Sequence, residues 1–265
     1  MNDAVILTID DDIATITLNR PAMHNAFDDA MIALFNDHLE RLAGMAEVRA
    51  VVLRAAGKSF SAGADLDWMR RMAGYSMAEN ITDAGGLAKL MHQLDTLPMP
   101  TIAMVQGSAF GGGVGLVACC DIAIAVRGAK FCFSEVKLGL IPAVISPYAV
   151  AAIGARAARR YFLTAEIFDA ATALQLGLVH QMVEPEALEA TTNVMLDHLA
   201  QGGPGAQAAA KDLIRRVAHR AIDADLISET QLLIARQRAS DEGREGVEAF
   251  LQRRTPGFVK SGVKS

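Results

Sequence analysis

The sequence predicts an α/β protein with a mainly parallel sheet and a helical C-terminal subdomain. Short β-rich apolar runs alternate with segments of helical periodicity over about 180 residues, the pattern of βαβ units. The 265 residues are 52% hydrophobic and 21% charged, enough to bury a large core. After the Gly-Gly-Pro at 202–204 no strand-like run follows. We therefore predict an α/β core over residues 1–203 and a helical subdomain over 204–265.

The individual elements follow from local patterns. Runs at 5–9 and 13–18, separated by three aspartates, predict a hairpin. Apolar residues at helical spacing from Asp28 to Ala43 predict a helix that ends at Gly44. The other predicted elements are strands at 50–55, 101–107, 121–126 and 131–133, helices at 79–96 and 114–120, helical segments beyond Ser146, and two or three helices within 206–254.

Composition excludes several classes of protein. The net charge is −5 and Lys and Arg form no stripe, so we expect no nucleic-acid partner. Three cysteines in apolar surroundings argue against a disulfide framework and fit a reducing compartment. The N-terminal residues lack signal-peptide features, and no apolar run is long enough to cross a bilayer. We expect a cytoplasmic protein with no membrane partner and no metal site.

Two segments share one design, in which a short strand runs into a glycine-containing turn that opens a helix. They span residues 59–65 and 107–113. The first amides of a helix have no partners within it, and the helix dipole adds positive charge there, so both turns could stabilise an anion. One such turn alone is more typical of a tight structural connection. Neither a G-x-G-x-x-G nor a GK[ST] pattern is present, which disfavours a nucleotide cofactor.

Taken together, the segments HNAF, SFSAGADL, QGSAFGGGVGL, CCDIAIA and FSEVKLGLIP resemble the enoyl-CoA hydratase/isomerase, or crotonase, family in order and separation. The resemblance runs from about Asp10 to the C-terminus. It implies a spiral of βαβ units with a C-terminal helical region used to form a homotrimer, commonly a dimer of trimers. It also implies an acyl-CoA substrate, with coenzyme A as part of the thioester and no permanently bound cofactor.

The same resemblance implies the catalytic residues. The N–H groups of Ala64 and Gly112 would form an oxyanion hole for the thioester-derived enolate. Preorganised amides of this kind contribute about 3–4 kcal/mol each in a water-poor site. Glu135, near a strand end, would donate a proton to C2 during hydration and accept it in the reverse direction.

Coenzyme A would be held by residues from both ends of the chain. The resemblance implies contact of the Ala62 backbone with the adenine, with help from Arg20 and from the region that contains Phe258. Asp65 is assigned to the same binding region. It stands where it could cap the helix that starts at Leu66 and so fix the Ala64 amide, although a solvated turn carboxylate is the alternative.

The sequence departs from the family at two places. Hydratases of the family carry a second glutamate where this chain has Gly115, and the run 142–148 replaces a glycine-rich stretch. The pattern is most similar to bacterial methylglutaconyl-CoA and carboxygeranoyl-CoA hydratases of leucine and acyclic terpene catabolism. We therefore expect a branched substrate whose carboxylate occupies the space left by Gly115, with Ser146 and Tyr148 as pocket residues.

Two other functions remain open at this point. A Δ3,Δ2-enoyl-CoA isomerase needs only one glutamate and is the main alternative. An RNA-binding or non-catalytic coenzyme A-binding protein is the third, and the acidic net charge argues against RNA binding.

Overall fold

The computed structural model describes residues 4–260. The chain forms two compact units. The first contains the residues up to Leu97 together with Thr101–Thr192, and the second contains Pro98–Pro100 and the residues from Asn193 onward. This division lies inside a helix, upstream of the 203/204 boundary predicted from the Gly-Gly-Pro run.

The first unit opens with the predicted hairpin. Strands β1 (Val5–Asp10) and β2 (Ile13–Leu18) pair antiparallel, and alternate β2 side chains are buried as the period of a half-buried strand requires. Helix α1 (Asp29–Ala43) follows, and its N-cap Asp28 accepts a hydrogen bond from the Met31 amide at 2.8 Å.

A six-stranded sheet forms the centre of this unit, in the order β1-β2-β3-β5-β7-β10. All of its pairings after the hairpin are parallel. The strands not yet defined are β3 (Ala50–Ala55), β5 (Thr101–Val105), β7 (Ile122–Val126) and β10 (Gln181–Val183). The near-continuous burial of β3, β5 and β7 is typical of parallel strands covered on both faces.

A second, smaller sheet was not predicted. Its order is β4-β6-β8-β9, with strands β4 (Ser59–Ser61), β6 (Ser108–Phe110), β8 (Lys130–Cys132) and β9 (Phe168–Asp169). Strands β3, β5 and β7 of the large sheet are each followed directly by one strand of the small sheet. The repeating unit is therefore ββα, and the spiral architecture implied by the resemblance is confirmed.

Six further helices begin in this unit. They are α2 (Leu66–Met72), α3 (Met77–Thr96), α4 (Gly112–Cys119), α5 (Ser146–Thr164), α6 (Ala170–Leu176) and α7 (Leu188–Ala200). Helix α4 follows β6 after Gly111 and is buried along most of its length. No helix within residues 4–260 combines the length and apolar character needed to span a membrane.

The second unit is helical, as predicted. It contains α8 (Pro204–Val217), α9 (Ala224–Ala239) and α10 (Asp241–Leu251). The Glu242 carboxylate accepts the amides of Gly205 and Ala206 at 2.9 and 2.7 Å, which joins α10 to the start of α8. Exposed apolar side chains on this unit include Ile214, Ile227, Leu232, Val247, Phe250 and Leu251.

Candidate active site

The first glycine turn presents the Ala64 amide. Ala64 forms a parallel bridge with Phe27, in which the Phe27 amide donates to the Gly63 carbonyl and the Asp65 amide donates to the Phe27 carbonyl, both at 2.7 Å. In an extended segment alternate peptide groups point to opposite sides. The Ala64 N–H therefore faces away from Phe27. No acceptor for it occurs within residues 4–260.

Asp65 and Arg20 hold this turn in place. Asp65 is the N-cap of α2 and accepts the amides of Asp67 and Trp68 at 2.8 and 3.2 Å. The Arg20 guanidinium contacts Asp65 at 3.1 Å and Asp28 at 2.8 Å, and donates to the Ala26 carbonyl. Burial alone would raise the pKa of Asp65, but these backbone donors and the Arg20 charge hold it below the ordinary value.

This geometry confirms the predicted helix cap. It also directs both charged groups toward the turn itself. Contact of Arg20 or Asp65 with coenzyme A therefore stays a prediction.

The second glycine turn presents the Gly112 amide. Gly111 has φ +50° and ψ −122°, a conformation that only glycine adopts readily. Its own amide donates to the Cys132 carbonyl at 2.9 Å, which ties the turn to β8. Gly112 is the first residue of α4, so its N–H has no partner in the helix, and the described chain supplies none elsewhere.

The two turns and Glu135 lie together. A Cβ atom on Gly63 would lie 3.1 Å from the Phe110 carbonyl and 3.8 Å from the Gly111 Cα, so the turns are in close contact. A Cβ on Gly111 would lie 3.3 Å from the Glu135 Oε1. Glu135 opens a 3-10 turn, Glu135–Leu138, shortly after β8.

Glu135 has the environment of a proton carrier. Its Oε2 atom is buried and has no hydrogen-bond partner within the described chain. Burial raises the pKa of Glu135, against a smaller opposing effect of its own amide. A buried carboxyl without a fixed partner is able to hold or release a proton in response to a bound substrate.

A single cavity of about 480 Å³ joins these groups. Ala64, Gly112 and Glu135 all line it, and the rest of its wall is mainly apolar. Its other lining residues are Phe27, Ala62, Gly63, Leu66, Trp68, Met69, Met72, Asp83, Ala84, Leu87, Gly111, Ser134, Leu138 and residues 140–145. The three predicted catalytic residues thus share one concave, largely apolar site, as an enzyme pocket requires.

Comparison with known proteins agrees with this geometry. The family model for enoyl-CoA hydratase/isomerase matches residues 8–261. The chain belongs to the enoyl-CoA hydratase/isomerase family. An enoyl-CoA hydratase of Shewanella pealeana has a crystal structure with a TM-score of 0.93 and 46% identity, with 96% of this chain and 95% of that chain covered. The predictions of the family and of an enzyme are confirmed.

Two curated relatives extend the comparison. The enoyl-CoA hydratase ACTT6 of Alternaria alternata is 35% identical, with 89% of this chain and 77% of the relative covered. The 2,3-dehydroadipyl-CoA hydratase of Escherichia coli is 32% identical, with 93% of this chain and 94% of the relative covered.

The space expected at Gly115, where family hydratases carry a second glutamate, does not exist. A Cβ on Gly115 would lie 2.3 Å from Ile145 Cγ2, 2.9 Å from Ile145 Cβ and 3.1 Å from the Met91 methyl carbon. Ile145 is 2% exposed and lines the cavity, whereas Gly115 does not. The prediction that a substrate carboxylate occupies this space is wrong, because the Ile145 side chain already fills it.

The other two predicted pocket residues lie outside the described lining of the cavity. The Ser146 hydroxyl donates to the Ala143 carbonyl at 2.8 Å. Burial raises the pKa of Tyr148 to about 12, with smaller contributions from Cys119 and Asp95. A role for Ser146 or Tyr148 in the acyl pocket therefore stays a prediction.

The predicted coenzyme residues are only partly in the site. Ala62 lines the cavity, and its amide donates to the His24 carbonyl at 2.9 Å. Phe258 lies in the C-terminal unit, where its ring lies 3.4 Å from the Cβ position of Gly246. A role for Phe258 in coenzyme binding stays a prediction.

One charged group of the cavity, Asp83, was not predicted from the sequence. Asp83, on α3, lines it and accepts a hydrogen bond from the Trp68 indole at 3.0 Å. The available signal was the helical spacing of Asp83 with Leu87, which places both on one face of α3. That spacing does not show which other element of the fold this face of α3 contacts.

Proposed function

We propose that this protein adds water to the double bond of a 2-enoyl-CoA thioester, or removes it in the reverse direction. One observation carries the proposal: the unpaired amides of Ala64 and Gly112 line the same cavity as the buried Glu135 carboxyl. Two such donors are able to polarise a thioester carbonyl, and a carboxyl beside them is able to transfer the proton at C2.

In this mechanism the thioester oxygen accepts hydrogen bonds from both amides. Negative charge grows on that oxygen as water attacks C3, and the fixed donors stabilise it without reorganisation. Glu135 accepts the proton that the attacking water loses and delivers a proton to C2 as the enolate collapses. The hydroxyl group goes to C3 and the proton to C2, so one carboxyl completes the cycle unchanged.

Coenzyme A enters as part of the substrate, and the proposal assigns no permanently bound cofactor. The coenzyme would leave the cavity past Ala62, because Ala62 is an exposed lining residue beside the Ala64 turn. The exposed apolar side chains of the C-terminal unit support assembly with further copies of the chain, as a trimer or dimer of trimers. Light scattering of the purified protein measures that assembly.

The carboxylate-bearing substrate is the finer part of the sequence-based prediction. The E. coli relative that hydrates a dicarboxylic acyl-CoA supports it. Two features of the cavity weigh against it: Ile145 fills the expected space, and no Lys, Arg or His occurs among the described lining residues. A carboxylate buried without a cation or donor is costly. We therefore favour an acyl chain without a carboxylate over 3-methylglutaconyl-CoA.

A second candidate function is isomerisation of a 3-enoyl-CoA to a 2-enoyl-CoA. The packing around Gly115 favours isomerisation. A two-glutamate hydratase would carry its second glutamate at this position, and Ile145 leaves no room for that side chain. A single carboxyl is sufficient to move a proton between two carbons.

A side-by-side assay separates the candidates. Purified protein is given crotonyl-CoA, a 3-enoyl-CoA and 3-methylglutaconyl-CoA at equal concentrations. Products are separated by chromatography against 2-enoyl-CoA and 3-hydroxyacyl-CoA standards, which resolves isomers of equal mass, and are then identified by mass. The proposal expects a product heavier by one water from crotonyl-CoA. Conversion of the 3-enoyl-CoA without any hydrated product would replace it with the isomerase, and turnover of 3-methylglutaconyl-CoA alone would restore the carboxylate-bearing substrate.

A further inference from the structure

The catalytic cavity contains a second carboxylate that the mechanism does not use. Asp83 and Glu135 are the titratable groups among its described lining residues. Asp83 comes from α3 and lines the same cavity as the two glycine turns, in hydrogen-bond contact with Trp68 of α2. A charged group in an otherwise apolar wall strongly influences which acyl chains bind there.

The Asp83 carboxylate is held in a fixed position. The Trp68 indole, which belongs to a residue only 4% exposed, donates to Asp83 Oδ1 at 3.0 Å. Within the described chain the other oxygen, Oδ2, accepts no hydrogen bond and Asp83 forms no ion pair. The nearby Lys89 ammonium instead pairs with Glu40 at 2.5 Å. One oxygen is thus anchored and the other remains able to accept.

We propose that Asp83 selects the acyl chain by charge, and this rests on the hydration of 2-enoyl-CoA proposed above. Asp83 accepts a hydrogen bond from a hydroxyl or ammonium group on the distal part of the acyl chain. It rejects a carboxylate at the same place. The substrate class is therefore a 2-enoyl-CoA whose chain bears a hydrogen-bond donor.

The reasons are electrostatic. A hydrogen bond to a charged acceptor is stronger than one between neutral groups, and a largely apolar wall strengthens it further by lowering the local dielectric constant. An acyl carboxylate would instead meet two like charges, Asp83 and Glu135, with no basic side chain in the described lining to offset them. Specificity then arises from both attraction and repulsion at one residue.

The test compares six-carbon substrates that differ only at C6. They are 2-hexenoyl-CoA, 6-hydroxy-2-hexenoyl-CoA, 6-amino-2-hexenoyl-CoA and 2,3-dehydroadipyl-CoA. The wild-type kcat/KM should be highest for the amino and hydroxy chains and lowest for the dicarboxylic chain. Asp83→Asn retains an acceptor for the Trp68 indole and removes the charge. It should shift the ratio of kcat/KM for the amino substrate to that for the dicarboxylic substrate by at least about 10-fold toward the latter.

Asp37→Asn is the matched control. Asp37 is exposed on α1 and lines a second cavity that Asp83 also lines, but it does not line the catalytic cavity. This variant changes the net charge equally and should leave the substrate ratio within about twofold, because an exposed charge outside the cavity is screened.

Several results would overturn the assignment. One is a wild-type preference for the dicarboxylic chain, and another is an Asp83→Asn ratio that moves no more than the Asp37→Asn ratio. The wild-type order of substrates decides the matter even if Asp83→Asn fails to fold. Hydration of 2-hexenoyl-CoA by the wild type, scored separately, shows whether the underlying activity is present.

Discussion

Replacing Gly115 with alanine should destabilise the protein, because the added methyl group has no room. Its carbon would lie 2.3 Å from Ile145 Cγ2, whereas non-bonded carbons are normally about 3.5–4.0 Å apart. Overpacking of this kind costs about 1–3 kcal/mol. The higher helix propensity of alanine offsets about 1 kcal/mol of this steric cost.

Gly85→Ala is the control that removes the propensity contribution. Gly85 also lies inside a helix, α3, and nothing lies within 4 Å of its Cβ position. The Gly85→Ala substitution should raise the free energy of unfolding by about 0.5–1 kcal/mol. The difference between the two variants therefore measures the steric cost alone, about 1–3 kcal/mol, measured as a shift of the urea midpoint at unchanged slope.

A second substitution identifies Ile145 as the cause. Ile145→Val keeps the branch that contains the clashing carbon, so it should not rescue Gly115→Ala. Ile145→Ala removes that carbon, and the double variant should be more stable than the sum of the single effects predicts. If Gly115→Ala proves as stable as Gly85→Ala, the space beside Gly115 is open and the account of this position is wrong.

The remaining predictions concern the proton carrier and the helix cap. Glu135→Gln should lower kcat by about 10²–10⁴ with KM nearly unchanged, since only proton transfer is lost; near-normal turnover would remove Glu135 from the mechanism. Because burial raises the pKa of Glu135, wild-type kcat/KM should fall on the acid side with a midpoint above the ordinary glutamate value, and a midpoint at or below that value would contradict this. Because the pKa of Glu135 is raised in the folded state, its ionisation opposes folding. The stability of the wild type relative to Glu135→Gln should therefore be greatest below the ordinary glutamate pKa and should decline as the pH rises through the folded-state pKa. Tm measured against pH for both proteins tests this. Asp65→Ala should lower the free energy of unfolding by about 0.5–2 kcal/mol and should also lower kcat. Asp223→Ala removes the N-cap of α9 and should lower stability without changing kcat. Equal kcat in the two variants would show that the Asp65 cap does not contribute to catalysis.

Much of the fold was accessible from the sequence. The hairpin, α1 and the parallel strands β3, β5 and β7 carry local periodicity and clear end signals. The small sheet was missed because β4 and β6 have three residues each and lie within segments rich in Ser, Gly and Ala, which the sequence pattern assigns to turns. Their strand character comes from pairing with each other, which no local pattern records.

The residues of the candidate site were likewise only partly predictable from the sequence. Ala64, Gly112 and Glu135 were placed by motif order, and the structure brings them to one cavity. The role of Gly115 was misjudged, because its space depends on Ile145, thirty positions along the chain. Asp83 was missed for the same reason: its place in the cavity depends on a partner fifteen positions earlier in the chain, the indole of Trp68.

The proposed hydration depends on the Gly112 amide, which stabilises negative charge on the thioester oxygen. Replacing the Gly112 peptide N–H by an ester oxygen removes this donor while the side chains stay unchanged. This replacement should lower kcat on crotonyl-CoA by about 10²–10³. The same replacement at Val114, whose amide donates to the Gly111 carbonyl at 2.9 Å, should affect stability much more than kcat. A loss of less than about tenfold at Gly112, or an equal loss at Val114, would contradict the proposed oxyanion hole.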